Sequence, residues 1–145
     1  MKKNYFVAFI AFAVFFLSSC GGAPTPPADT NSGPAASKPA VVTGEDLYKR
    51  NCVACHQANG EGLANSFPPL AKSDYLADKE KTIGQVIKGK TGEIQVNGKK
   101  YNNVMPAQQL SDEEIASVLT YVYTNLGNSG NAITVDEVKA VRAKL

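Results

Sequence analysis

The 145-residue chain has no tryptophan, one histidine (His56), three cysteines and two methionines, Met1 and Met105. Each shortage excludes something. A lone imidazole rules out any site built from paired histidines. An odd number of cysteines leaves one thiol outside any simple disulfide framework. Charge of one sign is also scarce, with 15 Lys+Arg against 13 Asp+Glu. Lys2 and Lys3 lie in a leader expected to be removed, which leaves 13 of each. A balanced chain gives no electrostatic reason to bind nucleic acid. Long apolar runs are limited to one, the 13 residues from Tyr5 to Leu17. That is short of the roughly 20 needed to span a bilayer, and it suits the h-region of a signal peptide behind a basic n-region.

The leader ends in Leu17-Ser18-Ser19-Cys20. Small residues before a cysteine, directly after an h-region, resemble the lipobox of bacterial lipoproteins. The resemblance implies a signal peptide over 1–19, cleavage before Cys20 and lipidation of the Cys20 thiol, which would also account for the odd cysteine. An ordinary secretory signal with a chance cysteine is the simpler alternative. Several acyl chains anchor firmly where one would not. Gly21 stands where an acidic residue often retains lipoproteins at the inner membrane, which leans by resemblance towards the outer one. Residues 20–43 are rich in Pro, Ala, Gly and Ser and cannot build a core, so they read as a tether. Its 23 residues after Cys20 would reach about 70 Å if fully polyproline-like.

Residues 44–128 read as globular and mostly helical. Gly44–Asn51 forms a short helix, with Thr43 and Asp46 a weaker form of capping box. Residues 57–77 form a long loop. Residues 78–88 place Ile83, Val86 and Ile87 on one side and stop at Gly89. Asn97-Gly98 between short alternating runs signals a hairpin over 93–101. Ser111 to Leu126 is the clearest helix, opened by a Ser111/Glu114 capping box and closed by Gly127. Residues 129–145 form a C-terminal extension with a second such box, Thr134 and Glu137, and a terminal helix. A domain of about 85 residues is marginal without a staple.

The staple is the stretch Cys52-Val53-Ala54-Cys55-His56, which holds two of the three cysteines and the only histidine. Cys-x-x-Cys-His is the attachment motif of c-type haem. Two thiols three residues apart on a turn can add to two vinyl groups on one porphyrin edge, and the next imidazole then lies under the iron. A thioredoxin-like dithiol would want a βαβ context that is missing here. A structural zinc site needs four ligands and only three are at hand. A chance disulfide would leave the compact core unexplained.

Gly44, Tyr48, the Cys52–His56 motif, Gly60-x-Gly62, Phe67-Pro68-Pro69-Leu70, Met105-Pro106 and Tyr121 together resemble the small class I monohaem cytochromes c over residues 44–127. Narrower stretches, "FPPLAKSDYL" and "NNVMPAQQLSDEEIASVLTYV" among them, are similar to cytochrome c domains associated with copper nitrite reductases and quinoprotein or sugar dehydrogenases. The resemblance implies an all-α fold wrapped around one covalent haem c, with a hairpin-like excursion before the axial methionine. It implies Cys52 and Cys55 as attachment points and His56 as proximal ligand. Met105 is the sole thioether left after leader removal and the expected sixth ligand, on a loop free to reach the iron. Filling a core gap is the plainer role for a lone methionine. Pro69, or its neighbour Pro68, is expected to offer its carbonyl to the His56 N–H. Leu70 and Phe67 would pack against haem, and Gly44 and Tyr48 would pack the first helix against the one holding Tyr121. Tyr101 reads equally as a haem-propionate contact or an ordinary hairpin residue.

The expected function is electron transfer between exported donor and acceptor redox proteins, at the periplasmic side of a bacterial membrane, without catalysis or a small-molecule substrate. Two alternatives remain: a haem enzyme or gas sensor with an open sixth site, and a dedicated subunit of one dehydrogenase or reductase. Lysines gathered between Lys72 and Lys100 form either a docking surface or a solvated face.

Overall fold

The computed structural model describes residues 42–145; the leader, Cys20 and nearly all of the expected tether lie outside the described residues. Five helices and one hairpin follow in order: α1 (Gly44–Asn51), α2 (Val53–His56), α3 (Lys79–Lys88), β1 (Ile94–Val96), β2 (Lys99–Tyr101), α4 (Asp112–Asn125) and α5 (Val135–Arg142). A single 3-10 turn, Asp74–Ala77, interrupts the long loop before α3.

The helix starts follow from local chemistry. Thr43, Ser111 and Thr134 each accept from the backbone N–H three residues on, and the acidic side chain there reaches back. Asp46 closes the first box fully despite its short side chain, its Oδ2 lying 2.7 Å from Thr43 Oγ1. Asp78 caps α3 through Lys81 N–H at 2.9 Å.

The centre of the fold is the crossing of α1 on α4. It is close because Gly44 has no side chain: a Cβ there would stand 2.2 Å from the Ser117 carbonyl oxygen. The contact continues through Tyr48 and Tyr121, whose ring centroids are 5.4 Å apart. These are the roles expected of Gly44 and Tyr48. Leu47, Ile83, Ile115, Val118, Leu119 and Val122 complete a buried core. Residues 129–145, set apart by sequence as an extension, feed the same core. Ile133, Val138 and Val141 are buried, and α5 packs against both α3 and α4. Arg142 also pairs with Asp112 at 2.7 Å, joining the last helix to the first turn of α4.

The hairpin pairs Ile94 with Tyr101 and Val96 with Lys99. Its turn residues Asn97 and Gly98 have φ of 48° and 75°, the left-handed values such a two-residue turn demands. Asn97 has a second task. Its side chain accepts from Asp74 N–H at 3.0 Å and donates to the Lys72 carbonyl at 3.1 Å, clamping the hairpin tip to the 3-10 turn.

Candidate functional site

One cleft gathers the chemistry. Its floor is the junction of α1 and α2, carrying Cys52, Cys55 and His56. Its walls are the loop Phe67–Leu70, Val86 of α3, the hairpin, Met105, and Val118, Leu119 and Val122 of α4. The space between, mouth included, is about 1200 Å³, and its lining is overwhelmingly apolar. The residues singled out by sequence for cofactor contact within the described chain line it, Cys52, Cys55, His56, Phe67, Pro68, Pro69, Leu70, Tyr101 and Met105.

The three motif residues are placed by a continuous run of backbone bonds. Cys52 N–H donates to the Tyr48 carbonyl at 2.9 Å, and His56 N–H donates to the Cys52 carbonyl at 2.8 Å. Cys52 thus ends α1 and opens α2, and the turn of α2 presents both sulfurs from one short segment. Neither sulfur is in a disulfide. Burial, reinforced by the neighbouring Cys55, pushes the Cys52 thiol up to about 11. Cys52 therefore lacks the depressed pKa of a nucleophilic thiol. Among the described residues no three His, Cys, Asp or Glu side chains are gathered for a metal ion.

His56 is 9% exposed. Its Nδ1 lies 2.9 Å from the carbonyl oxygen of Pro68. This corrects the expectation at Pro69: the acceptor is one residue earlier, while Pro69 itself lines the cleft. Burial lowers the pKa of the ring and the Pro68 bond partly opposes it, so the neutral imidazole is favoured. A carbonyl can only accept, so the neutral ring carries its proton on Nδ1 and Nε2 keeps its lone pair. Pro68 is held by the turn around Gly62, whose N–H donates to the His56 carbonyl at 2.9 Å, and by the Leu63–Phe67 bridge.

Met105 is pinned rather than free. Its N–H and carbonyl both bond to the backbone of Lys90, at 2.9 and 2.8 Å, and Gln108 N–H bonds to Val86 at 2.9 Å. The backbone of the loop that carries Met105 is stitched to the segment just beyond α3. The side-chain clamp of Asn97, and Asn128 altogether, were not anticipated. Asn128 bonds Ser73 N–H and the carbonyls of Leu70 and Val122, tying the cleft wall to the end of α4. The only sequence signal is an asparagine just beyond a helix-ending glycine. Several of the lysines between 72 and 100 have local partners, Glu137 for Lys79 and Glu93 for Lys100 among them, so their charge is partly spent within the fold.

A small helical shell around one apolar cleft, floored by two thiols and a neutral imidazole, defines a c-type haem protein. The chain belongs to the cytochrome c family, whose family model matches residues 41–125. It is 40% identical over 116 residues to a cytochrome c-552 of Thermus thermophilus, a match that spans 72% of this chain and 78% of that one. It is 30% identical to the cytochrome c subunit of a quinone alcohol dehydrogenase of Gluconacetobacter polyoxogenes, over 74% of this chain and 24% of that protein. It is 28% identical to the cytochrome subunit of a fructose dehydrogenase of Gluconobacter japonicus, over 71% of this chain and 22% of that protein. The chain carries covalent haem c, and its work is haem-based electron transfer.

Proposed function

We propose that the protein is a membrane-anchored carrier of single electrons, with its haem held by thioether bonds to Cys52 and Cys55 and ligated by His56 Nε2 and Met105 Sδ. The haem supplies an Fe(III)/Fe(II) couple in an apolar site. The observation that carries the reading is the state of His56: Nδ1–H committed to Pro68 at 2.9 Å and the ring neutral, so that Nε2 is the free donor in the cleft that Met105 also lines. The Pro68 bond makes the imidazole more electron-rich and fixes its plane. The backbone bonds between Met105 and Lys90 fix the main chain from which the thioether extends. Rigid donors keep geometric change on electron transfer small, as a carrier requires and a catalyst with an open site does not.

Produced in a host that matures c-type cytochromes, the protein is expected to keep its haem through denaturing electrophoresis. Its absorption spectra are expected to be low-spin, with a far-red thioether–Fe(III) band and no change when carbon monoxide meets the reduced form. Prompt carbon monoxide binding would transfer the reading to a sensor or peroxidase. Loss of haem on denaturation would remove it.

Partners are redox proteins that donate and accept the electron. Relatives that are cytochrome subunits of dehydrogenases support this. The lipobox-like Leu17–Cys20 supports export and an anchor at Cys20, with residues 21–43 as the tether. Cys20→Ala is expected to shift the cytochrome from the membrane to the soluble envelope fraction with an unchanged spectrum. Retention in the membrane would refute the lipid anchor.

A further inference from the structure

α3 is a helix that its own sequence does not sustain. It has ten residues, Gly84 stands in its middle, and Thr82, Ile83, Val86 and Ile87 are β-branched. Isolated helices shorter than about 12–15 residues are marginal in water, and glycine and β-branched residues lower the propensity further. What holds α3 is therefore what packs on it. Thr82, Gln85 and Val86 make one side, which lines the haem cleft. Gly84, two positions from both Thr82 and Val86, lies on the other side, where α5 packs. A Cβ on Gly84 would stand 3.8 Å from Val141 Cγ1. Val138 of α5 is fully buried and Val141 nearly so, in the same core as Ile83. Two polar ties join the helices as well: Lys79 Nζ donates to the Ala132 carbonyl at 3.3 Å, and Glu80 pairs with Lys144 at 2.9 Å. Both are exposed and worth little, so the apolar contact is what secures α3.

α3 is also the element to which Met105 is fastened. Gln108 N–H donates to the Val86 carbonyl at 2.9 Å, and Lys90, just beyond the end of α3, exchanges bonds of 2.8 and 2.9 Å with Met105. Direct contacts thus run from α5 through α3 to the loop of the sixth ligand. The family match ends at residue 125, so α5 lies outside the matched domain.

We propose that α5 sets how firmly Met105 stays on the iron, with Val138 and Val141 as positioning residues that act through α3. The inference rests on the reading of Met105 as a ligand. Its physical content is a local opening. The thioether leaves the iron when its loop swings away, and the loop separates only if its bonds to Val86 and Lys90 break or α3 moves with it. Openings of this kind cost less than complete unfolding and are governed by the contacts they break. Packing of α5 on α3 raises the cost of moving α3. The α1–α4 crossing is not among the contacts broken.

The test is the rate at which imidazole, added in excess to the ferric holoprotein, replaces the thioether. Loss of the far-red band follows it, under conditions where helical content stays intact. With imidazole saturating, the rate reports the opening of the Met105 loop. Val138→Ala and Val141→Ala should each speed the exchange about tenfold, because deleting buried methyl groups weakens the α5–α3 contact. Gly84→Ala should slow it about fivefold, since alanine is the better helix former and its Cβ meets Val141 at ordinary contact distance. Leu47→Val is the control. It thins the core on α1, which packs on α4 and α2, so it should lower the unfolding temperature and leave the exchange rate alone.

Exchange in Val138→Ala and Val141→Ala no faster than in Leu47→Val would overturn the proposal, and so would Gly84→Ala failing to slow it. A purely structural role for α5 gives that result, moving unfolding temperatures only. Where Val138→Ala does not mature, Val141→Ala and Gly84→Ala decide it. The wild-type spectrum is taken first. A missing far-red band would overturn Met105 ligation and this inference together, whereas a band with unmoved exchange overturns this inference alone.

Discussion

Met105→Ala lowers the midpoint potential by on the order of a few hundred mV, within the roughly 0.8 V range that axial ligands command, and opens the reduced protein to carbon monoxide. A thioether is a soft, neutral donor that favours Fe(II) and raises the potential. Without it the sixth position passes to water, which favours Fe(III). No second thioether or imidazole can take over, because the chain's only other methionine is Met1 and its only histidine is His56. Nor should the loop collapse to close the gap, since its backbone stays bonded to Lys90 through atoms the substitution does not touch. Losing the side chain from a partly filled site costs stability as well, about 2 kcal/mol at the low end of large-to-small core changes. Redox titration and carbon monoxide difference spectra check both arms. An unchanged potential with no carbon monoxide binding would show that Met105 merely fills the cleft wall.

The parts of this fold that were legible in sequence are those decided within a few residues. The three capping boxes and the Asn97-Gly98 turn each depend on groups no more than four positions apart, and each forms as read. What was not legible depends on long-range registration. Pro68 and Pro69 are chemically alike, and only the tertiary turn at Gly62 decides which carbonyl meets His56. Met105 looks free in a loop until the distant end of α3 is laid beside it. Asn128 bonds residues 55 and 58 positions away, a partnership no local pattern announces. Residues 129–145 carry a clear helix signal, yet their share in the core appears only when Val138 is seen to be fully buried.

Gly62→Ala acts through His56 rather than through Met105, and with the opposite sign. Gly62 has φ of +67°, a region side chains rarely adopt, and an added Cβ would stand 2.4 Å from the Phe67 carbonyl oxygen and 2.6 Å from that of Pro68. These are backbone atoms, so relief must come from moving the loop. The atom displaced is the acceptor of the His56 Nδ1–H bond. Strain and the weakened bond together are expected to cost about 3 kcal/mol of stability, a large share of the roughly 5–15 kcal/mol that such domains possess. The redox consequence follows from the imidazole. With its Nδ1–H bond intact the ring pushes electron density towards the iron and supports Fe(III). With the bond stretched that support weakens, so the midpoint potential rises where Met105→Ala makes it fall. Thermal unfolding and redox titration of the holoprotein measure the two effects. A stability loss with no rise in potential would mean that the Pro68 carbonyl positions His56 without tuning it, and a variant as stable as wild type would show that the loop yields more easily than its bonding implies.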